Sequence, residues 1–144
     1  MQANFSHLVV GPLSGWSGFN FVHPPSGMSL VKRFLKRDLG LSSMEISVNA
    51  MQPGEALPFR HRHEQNEEVY IFLDGEGEFE ADGERFPIGP GTVVRCAPGA
   101  SRSWRNTGDR PMPYVCIQAR AESYGPGHTV TDGRPGEGKP GWAD

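Results

Sequence analysis

The sequence predicts an all-β protein in which short strands form a sandwich or barrel. The 144 residues include 19 glycines and 13 prolines, a content that supplies many turns. Alternating apolar and polar segments are separated by turn signals about every eight to twelve residues. The pair Asp82-Gly83 between two such segments is typical of a two-residue type I′ hairpin turn. At this length the chain is expected to form a single domain.

Residues 1–29 are predicted to form an N-terminal arm. Residues 11–29 contain too much Gly and Pro for an interior element. The arm also carries aromatic residues that are unfavourable in water, so it is expected to pack on the barrel or on a second subunit. These residues are Trp16, Phe19 and Phe21. Because edge strands of a small barrel also need covering, we predict a homodimer.

Residues 30–120 are predicted to form the barrel. Residues 30–41 fit a strand, a short helical turn capped by Gly40, or both in succession. The next segment alternates between apolar and polar residues, which predicts a half-buried strand. Its apolar residues are Ile46, Val48 and Ala50, and its polar residues are Ser47 and Asn49.

A hairpin over residues 77–88 is the clearest local prediction. Its turn places Phe79 opposite Phe86 on one face and Glu80 opposite Arg85 on the other. Three further strands are expected. They are residues 92–96, 103–107 and 114–119.

Residues 121–144 form a Gly/Pro-rich C-terminal tail. Two interpretations stay open, a mobile tail and an extended segment anchored on the barrel by Trp142.

Composition and charge argue against several functions. A formal net charge of -3 with no basic stripe argues against nucleic-acid binding. No apolar run approaches the ~18 residues of a membrane span, and the start of the chain lacks the features of a signal peptide. The two cysteines, Cys96 and Cys116, do not form a disulfide framework. We therefore expect a cytoplasmic protein with reduced, buried thiols.

The segment from Gly54 to Gly75 contains the candidate metal ligands. His61 and His63 point to one face if their segment is a strand, and neutral imidazole is the commonest protein metal ligand. Glu68 can join them if the next strand pairs alongside. A His-x-His pair alone is weak evidence, but the flanking glycines and the apolar run after Glu68 make the pattern more specific.

Two motifs resemble those of the cupin superfamily. In the first motif, His63, Glu68 and Gly75 keep the cupin spacing, while the interval from Gly54 to His61 is one residue longer than usual. In the second, glycines and an asparagine stand where the cupin motif has them. These residues are Gly91, Gly99 and Asn106. The resemblance implies a single-domain jelly-roll β-barrel, and the absence of an internal repeat favours the single-barrel kind.

The resemblance also implies that His61, His63 and Glu68 converge inside the barrel with residue 102. Arg102 stands where the motif has a histidine, the fourth metal ligand of the family. Strand alternation adds other residues to the expected pocket. Those residues are Tyr70, Phe72, Trp104 and, if its face points inward, Gln118.

Two interpretations of this polar cluster stay open. In one, a divalent ion (Fe, Mn, Ni, Co or Zn) binds the 2-His-1-carboxylate set, and Arg102 holds an anionic group of the ligand beside it. In the other, Arg102 pairs with Glu68 and keeps the ion out, because charges of +1 and +2 about 5 Å apart repel by several kcal/mol.

The expected ligand is a small organic anion, and three function classes remain. The first is a metal-dependent enzyme, such as an oxygenase, an isomerase or a decarboxylase. The second is a binding module, including a metal-free one that takes a small organic acid or a sugar with Arg102 as the anion anchor. The third is a structural or storage barrel. The fold does not select among them, because function depends on the site.

Overall fold

The computed structural model describes residues 3–143 and confirms the all-β fold class. Residues 1, 2 and 144, which belong to the predicted arm and tail, lie outside the described part. The strands are β1 Phe21–Val22, β2 Ser29–Leu30, β3 Lys32–Phe34, β4 Glu45–Met51, β5 Asn66–Phe72, β6 Gly77–Ala81, β7 Glu84–Ile88, β8 Val93–Cys96, β9 Arg102–Asn106 and β10 Met112–Arg120. A 3₁₀ helix spans Leu13–Gly18, and a short α-helix, α1, spans Lys36–Leu39.

The strands form two main sheets, and every pairing is antiparallel. One sheet has the order β3-β4-β10-β5-β8, the other has the order β7-β6-β9, and β1 and β2 make a separate two-stranded ribbon. A core rich in aromatic residues joins the two main sheets. Phe79 of β6 is fully buried, with its ring stacked at 5.4 Å from both Phe86 and Trp104.

The hairpin of β6 and β7 has the predicted register. Phe79 pairs with Phe86, and Glu80 pairs with Arg85. Asp82 and Gly83 have φ of 49° and 86°, the two positive values that a type I′ turn requires. The turn residues and the facing pairs all lie within residues 77–88. The register could therefore be predicted without knowing how distant strands pair.

The N-terminal arm packs on the barrel of its own chain. Trp16 is buried in a cluster with Leu35 and Val48, and the Phe21 ring lies edge-on to Phe34 at 4.9 Å. Residues 30–41 carry both predicted elements in succession, with strands followed by α1. Gly40 ends that helix at φ 71°, as the prediction of a left-handed cap required.

Strand β4 differs from its prediction. It was expected to be half-buried, but both of its faces are covered. Val48 and Ala50 pack in the cluster around Trp16, whereas Ser47 and Asn49 face the cavity inside the barrel and are also buried. The polar residues of this strand therefore line an internal space rather than a solvated surface.

The C-terminal tail, over residues 121–143, contains turns but no strand or helix. Trp142 is 88% exposed, which contradicts one of the two interpretations left open for the tail, an extended segment anchored on the barrel by this residue. Within the described residues, no helix has the length and apolar character that crossing a membrane would require.

Candidate metal centre and cavity

The two histidines are positioned by an extended segment that runs beside β9. His61 and Arg102 exchange backbone hydrogen bonds of 3.0 Å in each direction, and the His63 carbonyl accepts a bond of 2.9 Å from Gly99. The segment is not the regular strand that the same-face argument assumed, since His61 makes only an isolated bridge. The backbone hydrogen bonds at His61 and His63 nevertheless hold the segment so that both imidazoles lie next to Glu68.

Glu68, on β5, completes the predicted cluster. Its Oε1 lies 3.6 Å from Nε2 of His61 and 3.2 Å from Nε2 of His63. One ligand atom from each of the three residues lies within 4.8 Å of the other two. This donor set, with two imidazoles and one carboxylate, suits a divalent transition metal ion that retains open coordination positions.

Arg102 is paired with Glu68, as one of the two interpretations required. Its Nη2 donates to Glu68 Oε1, its Nε donates to the Tyr70 hydroxyl at 3.1 Å, and its Nη1 donates to the Ala100 carbonyl at 2.8 Å. The side chain is 0% exposed and is not part of the cavity wall. The structure therefore corrects the prediction that Arg102 faces the ligand directly.

The surroundings of Glu68 keep it ionised. Burial raises the pKa of its carboxyl, but hydrogen bonds from His61, Tyr70, Arg102 and Cys116 outweigh that effect and hold the pKa well below its usual range. Burial also lowers the pKa of His63, which favours its neutral form. Metal binding requires a deprotonated carboxylate and neutral imidazoles, so these protonation states fit an ion.

A cavity of about 400 Å³ adjoins this cluster. Three of the predicted binding residues, Tyr70, Trp104 and Gln118, lie in its wall together with His61, His63 and Glu68. Phe72, like Arg102, is not in the wall. Phe72 is fully buried in the core, because its ring packs against Phe79 of the other sheet at 6.3 Å and against Tyr114 at 5.2 Å. Its predicted contact with a ligand is therefore corrected.

The prediction missed a second polar group in the cavity wall. Lys32 of β3 and the two polar residues of β4, Ser47 and Asn49, all line the same space. Ser47 and Asn49 were visible as the polar half of an alternating strand. Lys32 carried no signal in the sequence, since its position depends on how β3 pairs with β4.

Comparisons with known proteins define the family. The Cupin domain profile matches residues 48–118, which contain the His61, His63 and Glu68 cluster. A crystal structure of a cupin protein from Bacteroides fragilis superposes with a TM-score of 0.76 at 30% identity, covering 94% of this chain and 99% of that one. The chain belongs to the cupin family and has its β-barrel fold.

Two further similarities concern proteins from Thermotoga maritima. An oxalate-binding protein is 34% identical over 67 residues, which cover 46% of this chain and 54% of that protein. The crystal structure of a predicted oxalate decarboxylase has a TM-score of 0.57 at 26% identity, covering 65% of this chain and 82% of that one. The match to the oxalate-binding protein thus spans only about half of its length.

Proposed function

We propose that this cupin binds a small organic anion beside a divalent metal ion held by His61, His63 and Glu68. The observation that carries the proposal is the convergence of the three ligand atoms within 4.8 Å at the cavity wall. When bound, such an ion acts as a Lewis acid toward a carboxylate oxygen of the ligand. The protein contributes the ligand set and a cavity with partly apolar walls.

The charge of the site supports an anionic ligand. Glu68 and Arg102 form a buried pair whose charges cancel. A divalent ion held by His61, His63 and this carboxylate would therefore leave the centre with a net positive charge, which favours an anion. In this arrangement Arg102 contacts Glu68 but not the ligand, and the ion rather than the guanidinium binds the ligand.

The relatives support the same ligand class. One is named for binding oxalate and the other for decarboxylating it. Oxalate is a small dicarboxylate, which agrees with a net positive centre in a small cavity. Since one name describes binding and the other a reaction, the proposal is confined to binding of a small organic anion.

A metal-free binding module is the second candidate. The closed pair of Arg102 and Glu68 favours it, because a permanent cation on the carboxylate opposes a divalent ion. In this case a small acid or sugar would bind through the cavity wall. Arg102 would not be its direct anchor, since the guanidinium already has three partners.

Metal analysis of protein purified without a metal-binding tag tests the proposal. We expect elemental analysis to find a transition metal ion in the wild type, or titration with Mn(II) or Ni(II) to show stoichiometric binding. The double variant His61→Ala/His63→Ala should lose the ion and keep its β-sheet circular dichroism, because the core is apolar. The matched control His7→Ala/His128→Ala removes two exposed histidines and should retain the ion.

One combination of binding results would contradict the metal proposal. If the wild type binds no divalent ion, whereas Arg102→His does, then the natural arginine excludes the metal. The metal-free binding module would then be the correct function.

We also propose a homodimer and a cytoplasmic location. Cys96 and Cys116 are free and buried, and this supports a reducing compartment. Exposed apolar residues of the arm, among them Phe5 and Val9, favour an additional covering surface. Light scattering at tens of micromolar should give the mass of a dimer, and a monomer at that concentration contradicts the assembly.

A further inference from the structure

Lys32 is a cation in the cavity wall without a carboxylate partner. Its Nζ lies 3.4 Å from the Ser47 hydroxyl oxygen and 5.2 Å from the centre of the Phe34 ring. Among residues 3–143 it takes part in no ion pair. An ammonium group has three donor hydrogens, so at least two remain for a ligand. Burial lowers the pKa of Lys32, and the nearby Cys116, Glu68 and Glu45 offset that effect only in part.

Asn49 provides an independent observation. Lys32 and Asn49 are direct partners in the pairing of β3 with β4, so their side chains lie on the same face. The Asn49 amide nitrogen donates to Ser47 Oγ at 3.1 Å and to the Tyr114 carbonyl at 3.2 Å. Its Oδ1 has no hydrogen-bond partner in the described part of the chain, although the residue is 0% exposed. A buried amide oxygen left unpaired is unfavourable, and a donor on a ligand would satisfy it.

Ser47 completes the group. Its Oγ accepts from both Lys32 and Asn49, which uses its two lone pairs. Its own hydrogen has no acceptor within the described part of the chain, and Ser47 lines the cavity, so this hydrogen can be donated to a ligand. The wall therefore presents a cation and a hydroxyl donor next to a lone amide acceptor.

We propose that Lys32, Ser47 and Asn49 form a second ligand subsite that recognises a 2-hydroxycarboxylate group. The carboxylate of the ligand accepts from the Lys32 ammonium and the Ser47 hydroxyl, and the neighbouring hydroxyl of the ligand donates to Asn49 Oδ1. A carboxylate alone uses the two donors and leaves the acceptor unpaired, whereas an alcohol alone leaves the cation unpaired. Of these three ligand groups, only the combination of a carboxylate and a neighbouring hydroxyl satisfies all three side chains.

The subsite is separate from the proposed metal centre. Ser47 pairs across to Cys116 of β10, and Cys116 pairs across to Tyr70 of β5. The backbones of β4 and β5 are thus two strand spacings apart, or about 10 Å. The Cys116 thiol, 3.2 Å from Glu68 Oε2, lies between the two groups. The inference deepens the proposed function, since it names the class of anion, but its test requires no metal.

Binding of glycolate and acetate to metal-free protein tests the subsite. These probes differ only by the hydroxyl group, and removing the metal restricts the measurement to the protein's own side chains. By isothermal titration or ligand-observed NMR, we expect the wild type to prefer glycolate by about fivefold or more. Lys32→Met should weaken glycolate binding by about tenfold or more, whereas Lys32→Arg, which keeps the charge, should retain part of it.

Matched variants separate recognition from folding. Lys36→Met removes an exposed lysine of α1 and should leave glycolate affinity unchanged. Asn49→Leu should abolish the preference for glycolate over acetate. Circular dichroism checks that each variant is folded. If Asn49→Leu does not fold, the smaller change Ser47→Ala takes its place as the second variant. Ser47→Ala should weaken both probes by a similar factor.

Two results would overturn the subsite. One is a glycolate affinity that is equal in the wild type and Lys32→Met, and the other is no glycolate binding to the wild type at tens of millimolar. Failure of the metal proposal looks different. The wild type would then lack a divalent ion in elemental analysis, while Lys32→Met still lowered glycolate affinity.

Discussion

Arg102 and Lys32 are both cations inside the barrel, but their surroundings differ. Arg102 donates to Glu68, Tyr70 and the Ala100 carbonyl, and none of its side chain is exposed. Lys32 has one long hydrogen bond, to Ser47, and a ring contact with Phe34. A buried charge is tolerated when it is paired and hydrogen-bonded. The comparison therefore assigns Arg102 to the structure of the site and leaves Lys32 available for a ligand.

The pKa values show the same contrast. Burial lowers the pKa of both side chains. For Arg102, the neighbouring Tyr70 and Glu68 outweigh burial and raise the pKa above its ordinary value. For Lys32, the more distant Cys116, Glu68 and Glu45 only partly offset burial, so its pKa stays lowered. The protein stabilises the charge of Arg102 and leaves that of Lys32 without full compensation.

The largest expected effect on the free energy of unfolding comes from removing the paired cation, Arg102. Arg102→Met should lower the free energy of unfolding by about 3–5 kcal/mol, because it leaves Glu68 buried without its partner. The matched control is Arg105→Met on the same strand, where the pair with Glu78 is exposed and contributes about 0–1 kcal/mol. Urea denaturation measures both. Equal losses in the two variants would contradict the structural role of Arg102.

Replacing the paired cation by a metal ligand is the second test. Arg102→His removes a permanent charge beside Glu68 and restores the fourth ligand of the cupin motif. We expect affinity for Ni(II) to rise by about a hundredfold, as relief of several kcal/mol of repulsion allows. Titration calorimetry gives the ratio. Unchanged affinity would show that Arg102 already leaves the ion undisturbed.

Acid denaturation probes the carboxylate side of the pair. The pKa of folded Glu68 lies below its ordinary value of 4.5, so its ionised form stabilises the fold above that pH. This contribution is lost as the pH falls below 4.5 toward the folded pKa. Glu68→Gln should therefore show a shallower loss of unfolding free energy over this range than the wild type. Parallel slopes from denaturation at several pH values would contradict the pairing.

The smallest effect on the free energy of unfolding is expected from replacing Lys32, the cation without a carboxylate partner. Lys32→Met should leave the free energy of unfolding unchanged or raise it by up to about 1 kcal/mol near neutral pH. Because the folded pKa of Lys32 is lowered, the unfolded chain binds more protons below its ordinary value of 10.5, and wild-type stability rises with pH in that window. The variant should lack this rise. A large loss of stability in Lys32→Met would place Lys32 with Arg102 as a structural residue.

Local patterns were sufficient for much of the fold. The register of the β6–β7 hairpin follows from the Asp82-Gly83 turn and the residues on either side of it. The cap at Gly40 likewise depends on neighbours within one helical turn. The cluster of His61, His63 and Glu68 was accessible because its members lie within eight residues and match a family motif.

The strand pattern, the hairpin register and the identity of the candidate metal ligands could all be predicted from short segments of the chain. Other features depend on contacts between segments that are distant along the chain: Arg102 pairs with Glu68, Phe72 lies in the core, and both faces of β4 are buried. The pairing of β3 with β4 likewise brings Lys32 to Asn49. This difference arises because a short-range pattern specifies only which side chains share a face. The partner that each face meets depends on pairing between distant strands, and that pairing decides which buried charges are compensated.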